Sequence, residues 1–322
     1  MLSALIFSIN GVGPIIIIIA LGYIAVRLKW VNDSFTDAAT KVVFNLALPV
    51  YLFSEITSAD AGSLLDGKLN IFVACGVVTS FLILTLVVPL FVKSRPVRGA
   101  FIQGVYRSNI AILGVPLAQN LYGDAGAQSM ALLILITIPL YNVLAVVILS
   151  VNSDEAHRSS GGKLVLNIIK GVVTNPLIIG IALALICLAA GVRLSALPKV
   201  LSGSVSLVAG MSTPLALFCL GSGLKFRRFG ERIRYSLTAA ALRLLAMPVL
   251  ACGVGYAAGF RHMELVLILI AFGTPTAVSS YIMAKNMGSD YDLAGEIVLL
   301  TTVGSTVTLF LFTFVFRAMG IA

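Results

Sequence analysis

Two arginines stand inside apolar stretches, where a cation needs a partner. Arg107 sits in Val105-Tyr106-Arg107-Ser108-Asn109-Ile110, and Arg243 in Ala241-Leu242-Arg243-Leu244-Leu245. Each lies about ten residues into its apolar run, roughly 15 Å deep at about 1.5 Å rise per residue. From that depth a side chain cannot easily reach the headgroups, and buried ionisable groups in membranes are costly and usually functional. A guanidinium offers a planar fork matched to a carboxylate. Two chemistries are open for each arginine: attraction of an anionic cargo, or structural pairing with helix-end carbonyls or with Glu55 or Glu296.

Helix breakers accompany these charges. The stretch after Arg107 runs Asn109-Ile110-Ala111-Ile112-Leu113-Gly114-Val115-Pro116, and a second stretch reads Gly273-Thr274-Pro275-Thr276, followed by Ser279 and Ser280. Proline removes an amide donor and clashes with the preceding turn. Backbone groups freed in a membrane are tolerated only where protein or a wet cavity satisfies them. Interruptions are therefore expected at Gly114–Pro116 and at Gly273–Thr276, and such paired breaks point to a transport site. Milder breaks are expected at Asn45-Leu46-Ala47-Leu48-Pro49 and Ser212-Thr213-Pro214. Asn45 and Asn142 are amides at mid-depth, each either a ligand or a bridge to a neighbouring helix. The substrate-binding candidates are thus Asn45, Pro49, Arg107, Asn109, Gly114, Pro116, Arg243, Thr274, Pro275, Thr276 and Ser279. For a coupling ion, hydroxyls and carbonyls at Ser108, Thr274 and Thr276 suit sodium. Glu55 and Glu296, near helix ends, are the carboxylates that could carry a proton. No other cofactor and no metal site is expected.

The elements that must hold these residues follow from composition. Of 322 residues, 59% are hydrophobic and 11% charged, with mean hydropathy +1.05; a soluble domain carries about 25% charged residues. Lipid must be the solvent for most of such a surface. The net charge of +9 sits in short clusters between apolar segments, an orientation signal rather than a nucleic-acid surface. Cys75, Cys187, Cys219 and Cys252 lie within apolar runs without metal-ligand spacing. The first cations, Arg27 and Lys29, follow the first apolar run, so that run is expected to stay as a spanning helix rather than a cleaved signal.

Spans of roughly 20 apolar residues are expected near 5–26, 35–57, 70–92, 97–122, 126–150, 171–191, 198–224, 232–258, 263–286 and 292–316. The polar stretch Asn152 to Gly162 reads as a linker, and Lys163 to Thr174 as an amphipathic segment. Pro14, Pro49, Pro89 and Pro116 recur as Pro176, Pro214, Pro248 and Pro275, each pair roughly 160 residues apart, which suggests an internal duplication of the inverted kind common in carriers. The fold expected is all-α and integral to the membrane: a first five-helix repeat over 1–150, a cytoplasmic linker over 151–170, and an inverted second repeat over 171–322. With the N-terminus outside, cytoplasmic connections hold fourteen cations and the other side five, which favours both termini outside.

These motifs resemble the auxin efflux carrier family, which includes bacterial malonate-type permeases and plant PIN-type carriers. The residues that carry the resemblance are Asn109, Gly114-Val115-Pro116-Leu117 and Leu121-Tyr122-Gly123, with Thr213-Pro214-Leu215-Ala216-Leu217, Leu220-Gly221 and Leu48-Pro49. Pro275-Thr276-Ala277, Tyr281 and Ala284-Lys285 extend it over nearly the whole chain. The resemblance implies ten helices in which the fourth and ninth cross at their breaks, a bile-acid-symporter-like fold, and transport of small organic anions. It places Asn109 and Pro116 at the crossing and Pro275 at the other break, and leaves sodium, proton or no coupling open. A short linker matches bacterial members, hence a bacterial inner membrane. The expected partners are a small carboxylate and the bilayer; no nucleic acid is expected, and a homodimer stays open. No His-Glu-x-x-His, Gly-x-Ser-x-Gly or phosphate-loop motif supports an enzyme or pump. A channel or transporter-like receptor is the rival class.

Overall fold

The computed structural model describes residues 2–58, 67–152, 162–224 and 229–318, and these are helical almost throughout. In chain order the helices are α1 (Leu2–Arg27), α2 (Asp33–Val42), α3 (Leu48–Ser58), α4 (Lys68–Phe91), α5 (Arg95–Tyr106), α6 (Ile110–Val151) and α7 (Gly162–Val173). They continue with α8 (Pro176–Ala189), α9 (Lys199–Gly223), α10 (Phe229–Ala241), α11 (Met247–Ala257), α12 (His262–Gly273), α13 (Ser279–Asn286) and α14 (Tyr291–Ala318). Their starts are locally encoded. The Asn32 side chain accepts from Phe35 N at the head of α2, and Asn175 caps α8 with Pro176 in its first turn, where a missing N–H is harmless.

Two prolines bend helices without ending them. Before Pro49 and Pro248 the chain makes single π-turns, Val43–Ala47 and Leu242–Ala246, in which Leu48 N bonds Val43 O and Met247 N bonds Leu242 O. The slip to five-residue spacing absorbs proline's absent donor and its clash with the turn before it. Pro89 and Pro214 sit inside continuous helices. At Gly123, whose φ of 63° lies in the region glycine enters freely, α6 folds back into two arms.

Among the described residues, six helical rods are long and apolar enough to cross a membrane: Asp33–Ser58, Lys68–Phe91, Leu121–Val151, Lys199–Gly223, Arg232–Ala257 and Tyr291–Phe316. Gly13–Arg27, Pro176–Ala189 and His262–Gly273 are shorter apolar helices. Their outward faces are oily: Leu86, Leu90, Val200 and Leu207 are 74% to 79% exposed, an arrangement stable in lipid and aggregating in water. The protein is a multi-pass membrane protein. Where lipid removes the hydrophobic drive between helices, close backbone contact takes its place. A Cβ at Gly221 of α9 would fall 1.9 Å from the Ile19 carbonyl of α1, and one at Gly22 would fall 2.2 Å from the Phe218 carbonyl. The linker residues 153–161 and the cations Lys225, Arg227 and Arg228 lie outside the described residues.

Candidate functional site

Helix α5 stops at Tyr106 and α6 begins at Ile110; α12 stops at Gly273 and α13 begins at Ser279. The two gaps lie against each other. Asn109 N donates to Pro275 O at 2.8 Å, Ala277 N donates to Arg107 O at 3.3 Å, and Ser108 pairs with Thr276 as an isolated antiparallel bridge. Pro275 suits such an extended stretch because it needs no donor and pushes Thr274 into extended backbone, at φ −67° and ψ 153°. The remaining polar groups are met locally. Thr276 N donates to Thr301 Oγ at 3.1 Å, the Thr276 hydroxyl donates to Gly104 O at 2.6 Å, and the Ser108 and Thr274 hydroxyls share a hydrogen bond.

One break therefore sits where its proline is, at Pro275. The other does not. The interruption expected at Gly114–Pro116 falls at Arg107–Asn109 instead, and Gly114 and Pro116 lie within the first arm of α6. Gly114 serves packing: a Cβ there would approach Ile110 to 2.9 Å and the Met130 sulfur to 3.2 Å. The first break lies where the chain pairs with the extended stretch at Pro275, a contact between residues more than 160 apart.

Arg243, fully buried, clamps the back of this crossing. Its Nε donates to Thr274 O (2.9 Å), its Nη1 to Val105 O (3.2 Å) and Tyr106 O (3.1 Å), and its Nη2 to Ala271 O (3.4 Å). These carbonyls end α5 and α12. The last four carbonyls of α5, which helix geometry leaves unpaired, are all satisfied. Gln103 O accepts from Arg107 N, Gly104 O from Thr276, and Val105 and Tyr106 from Arg243. Each helix C-terminus carries about half a negative elementary charge, so two of them match one guanidinium.

Arg107, 3% exposed, faces the other way. Its Nη2 donates to Asn142 Oδ1 and to Ser279 Oγ, both at 2.8 Å, and its Nη1 points at the Met283 sulfur, 2.7 Å away. Among the described residues no carboxylate pairs with it. It lines a cavity of about 60 Å³, room for several waters where about 10–15 Å³ admits one. Other walls are Ser108, Asn109, Asn142, Ser212, Thr213 and Ser279, with Tyr51 and Tyr141. The start of α6 and the start of α13 both open on it, and neither is capped by its own side chain. Positive helix ends and an unbalanced arginine thus converge where Asn109 Nδ2 and Ser212 Oγ are buried without a partner among the described residues. This set of donors can hold an anion.

Among the candidates read from sequence, Arg107, Ser108, Asn109 and Ser279 line the cavity. Thr274, Pro275, Thr276 and Arg243 build the crossing behind it. Four stand apart: Asn45 is exposed and donates to Lys41 O of its own helix (2.9 Å), Pro49 packs its backbone on Gly180 of α8, and Gly114 and Pro116 belong to α6. Glu296 accepts from the Ser236 hydroxyl, away from the crossing, and Glu55 lines a second cavity. Ser212, Thr213, Tyr51 and Tyr141 are further walls that the sequence alone does not single out. Ser212 and Thr213 had a signal in their proline motif, whereas the two tyrosines had none.

Similarity to known proteins shows which family carries this fold. A family described as membrane transport protein matches residues 7–313. An uncharacterized transporter of Methanothermobacter thermautotrophicus is 24% identical, covering 94% of this chain and 96% of its own. The uncharacterized transporter YfdV of Escherichia coli is 26% identical over 98% and 99%. A putative malonate transporter of Rhizobium meliloti is 23% identical over 92% and 91%. The chain belongs to the membrane transport protein family, that of the auxin efflux carriers.

Proposed function

We propose that this protein is a secondary carrier that moves a small organic anion, a mono- or dicarboxylate, across the bacterial inner membrane by alternating access. The observation that carries the reading is Arg107: a buried cation without a carboxylate partner among the described residues, on a cavity opened by two helix N-termini. Removing such a charge from water is unfavourable unless an anion or well-placed dipoles compensate it, and a carboxylate cargo supplies that compensation. Broken helices whose positive ends face an anionic substrate group are a device of secondary transporters. The malonate named for the Rhizobium relative is a cargo of this class.

The same reading takes the chain as ten spans in two inverted five-helix units, 1–150 and 171–322, with both termini outside the cytoplasm. Its support is the order of elements. In each unit a helix stops, runs extended through a polar stretch and restarts, as α5 to α6 and α12 to α13, and the two stretches pair with each other.

The test is uptake of radiolabelled malonate, lactate and pyruvate into proteoliposomes. Saturable uptake, accelerated by unlabelled substrate inside, is expected. Flux that does not saturate would mean a channel, binding without flux a receptor, and no response to any carboxylate would sink the anion assignment.

A further inference from the structure

A second cavity, of about 190 Å³, is lined by Glu55, Ile56, Ser58, Val115, Ala131, Ile134, Leu135 and Ile138. It adjoins the Arg107 cavity, because Ile138 is a wall of both. Three helical faces run on from one cavity to the next. On α3, Leu48, Tyr51 and Leu52 line the first, and Glu55 and Ile56, one turn later, line the second. On the first arm of α6, Ile112 gives way to Val115, and on its second arm Tyr141 gives way to Ile134. Residues three, four or seven apart share a helix face, so the two cavities follow one another along the same helical faces, the second nearer the Ser58 end of α3.

Glu55 is, among the described residues, the single Asp, Glu, Lys, Arg or His on the walls of the second cavity, as Arg107 is of the first. Among the described residues no cation lies within ion-pair distance of it. The elements packed on α3 carry other titratable or charged groups: Tyr122, Asp124 and Tyr141 on α6, Cys187 on α8, and Lys199 and Cys219 on α9. Arg193 precedes the short turn Leu194–Ala196. None of these lines the second cavity. An unpaired carboxylate among apolar walls opposes an anion entering beside it, since like charges repel strongly where water is scarce.

We infer that Glu55 is a proton-binding gate on the route to the Arg107 cavity. This rests on the anion-carrier reading above. The Glu55 carboxylate takes one proton from the water on its side, becomes a neutral acid, and the cargo anion then passes to Arg107. Loss of that proton restores the barrier. Flux is therefore full at low pH and falls as pH rises through the ionisation of Glu55, by up to about tenfold per pH unit for a single required proton.

The experiment is exchange across proteoliposomes, measured from mildly acidic to mildly alkaline pH with radiolabelled malonate and with methanesulfonate, whose charge does not change with pH. Wild type is expected to slow as pH rises, Glu55→Gln to stay at the acidic rate throughout, and Glu55→Asp to keep the pH dependence. A flat wild-type profile with methanesulfonate overturns the gate while leaving the carrier reading intact. So does a Glu55→Gln profile that still follows wild type, or a Glu55→Gln protein that melts normally but is inactive at every pH. Failure of wild type to exchange either anion overturns the carboxylate reading and the gate with it.

Discussion

Arg107 and Arg243 are the same residue type at similar depth in the sequence pattern, both almost fully buried, and their surroundings set them to opposite tasks. Arg243 spends its donors on four carbonyls that end α5 and α12, and the negative ends of two helices balance its charge. Arg107 meets an amide, a hydroxyl and a thioether, neutral groups that orient a guanidinium without cancelling it. The difference teaches that a buried cation is structural where helix C-termini surround it, and points toward an anionic ligand where N-termini do.

The strongest way to break that contrast is to delete each arginine. Arg243→Ala leaves four carbonyls at the crossing without donors. It should cost about 3–5 kcal/mol of stability, read as a large drop in melting temperature in detergent; a normal melting curve with transport alone lost would place Arg243 in the cargo site. Arg107→Gln should fold, because glutamine still reaches neutral partners, while carboxylate affinity falls by about 2–5 kcal/mol. Equal binding by this variant in a ligand-induced thermal-shift assay would dissolve the contrast. Ser212→Ala removes a buried hydroxyl that has no partner among the described residues; affinity should weaken by about 1 kcal/mol with stability unchanged or slightly raised. A clear loss of stability would show that Ser212 is structural. The smallest effect belongs to Asn45→Ala, on an exposed face, expected within about 0.5 kcal/mol in stability and without change in uptake. Impaired uptake there would mean that the passage runs beyond the walls described.

The sequence was most informative where a residue acts on its own backbone. Pro275 interrupts its helix where it stands, and the polar triplet Arg107-Ser108-Asn109 stood out against apolar neighbours. It misled where a local cue met a tertiary one. Pro116 has a helix breaker's chemistry, but α6 carries it through and the break lies at residues that pair with the extended stretch around Pro275. Asn45 looked like a buried amide, yet on an outer face it satisfies itself on the Lys41 carbonyl.

Composition alone determined that lipid is the solvent, because so few charged residues cannot coat a water-facing surface. The chain also determined that two polar, breaker-containing stretches lie within apolar segments, since proline and glycine act on the turn they occupy. Tertiary structure decided which arginine is bound by carbonyls and which faces a cavity, and that Tyr51, Tyr141, Ser212 and Asn109 share its walls. Those outcomes depend on where helix ends from distant parts of the chain meet. The field around a buried charge is the sum of such ends, and no single stretch of sequence contains it.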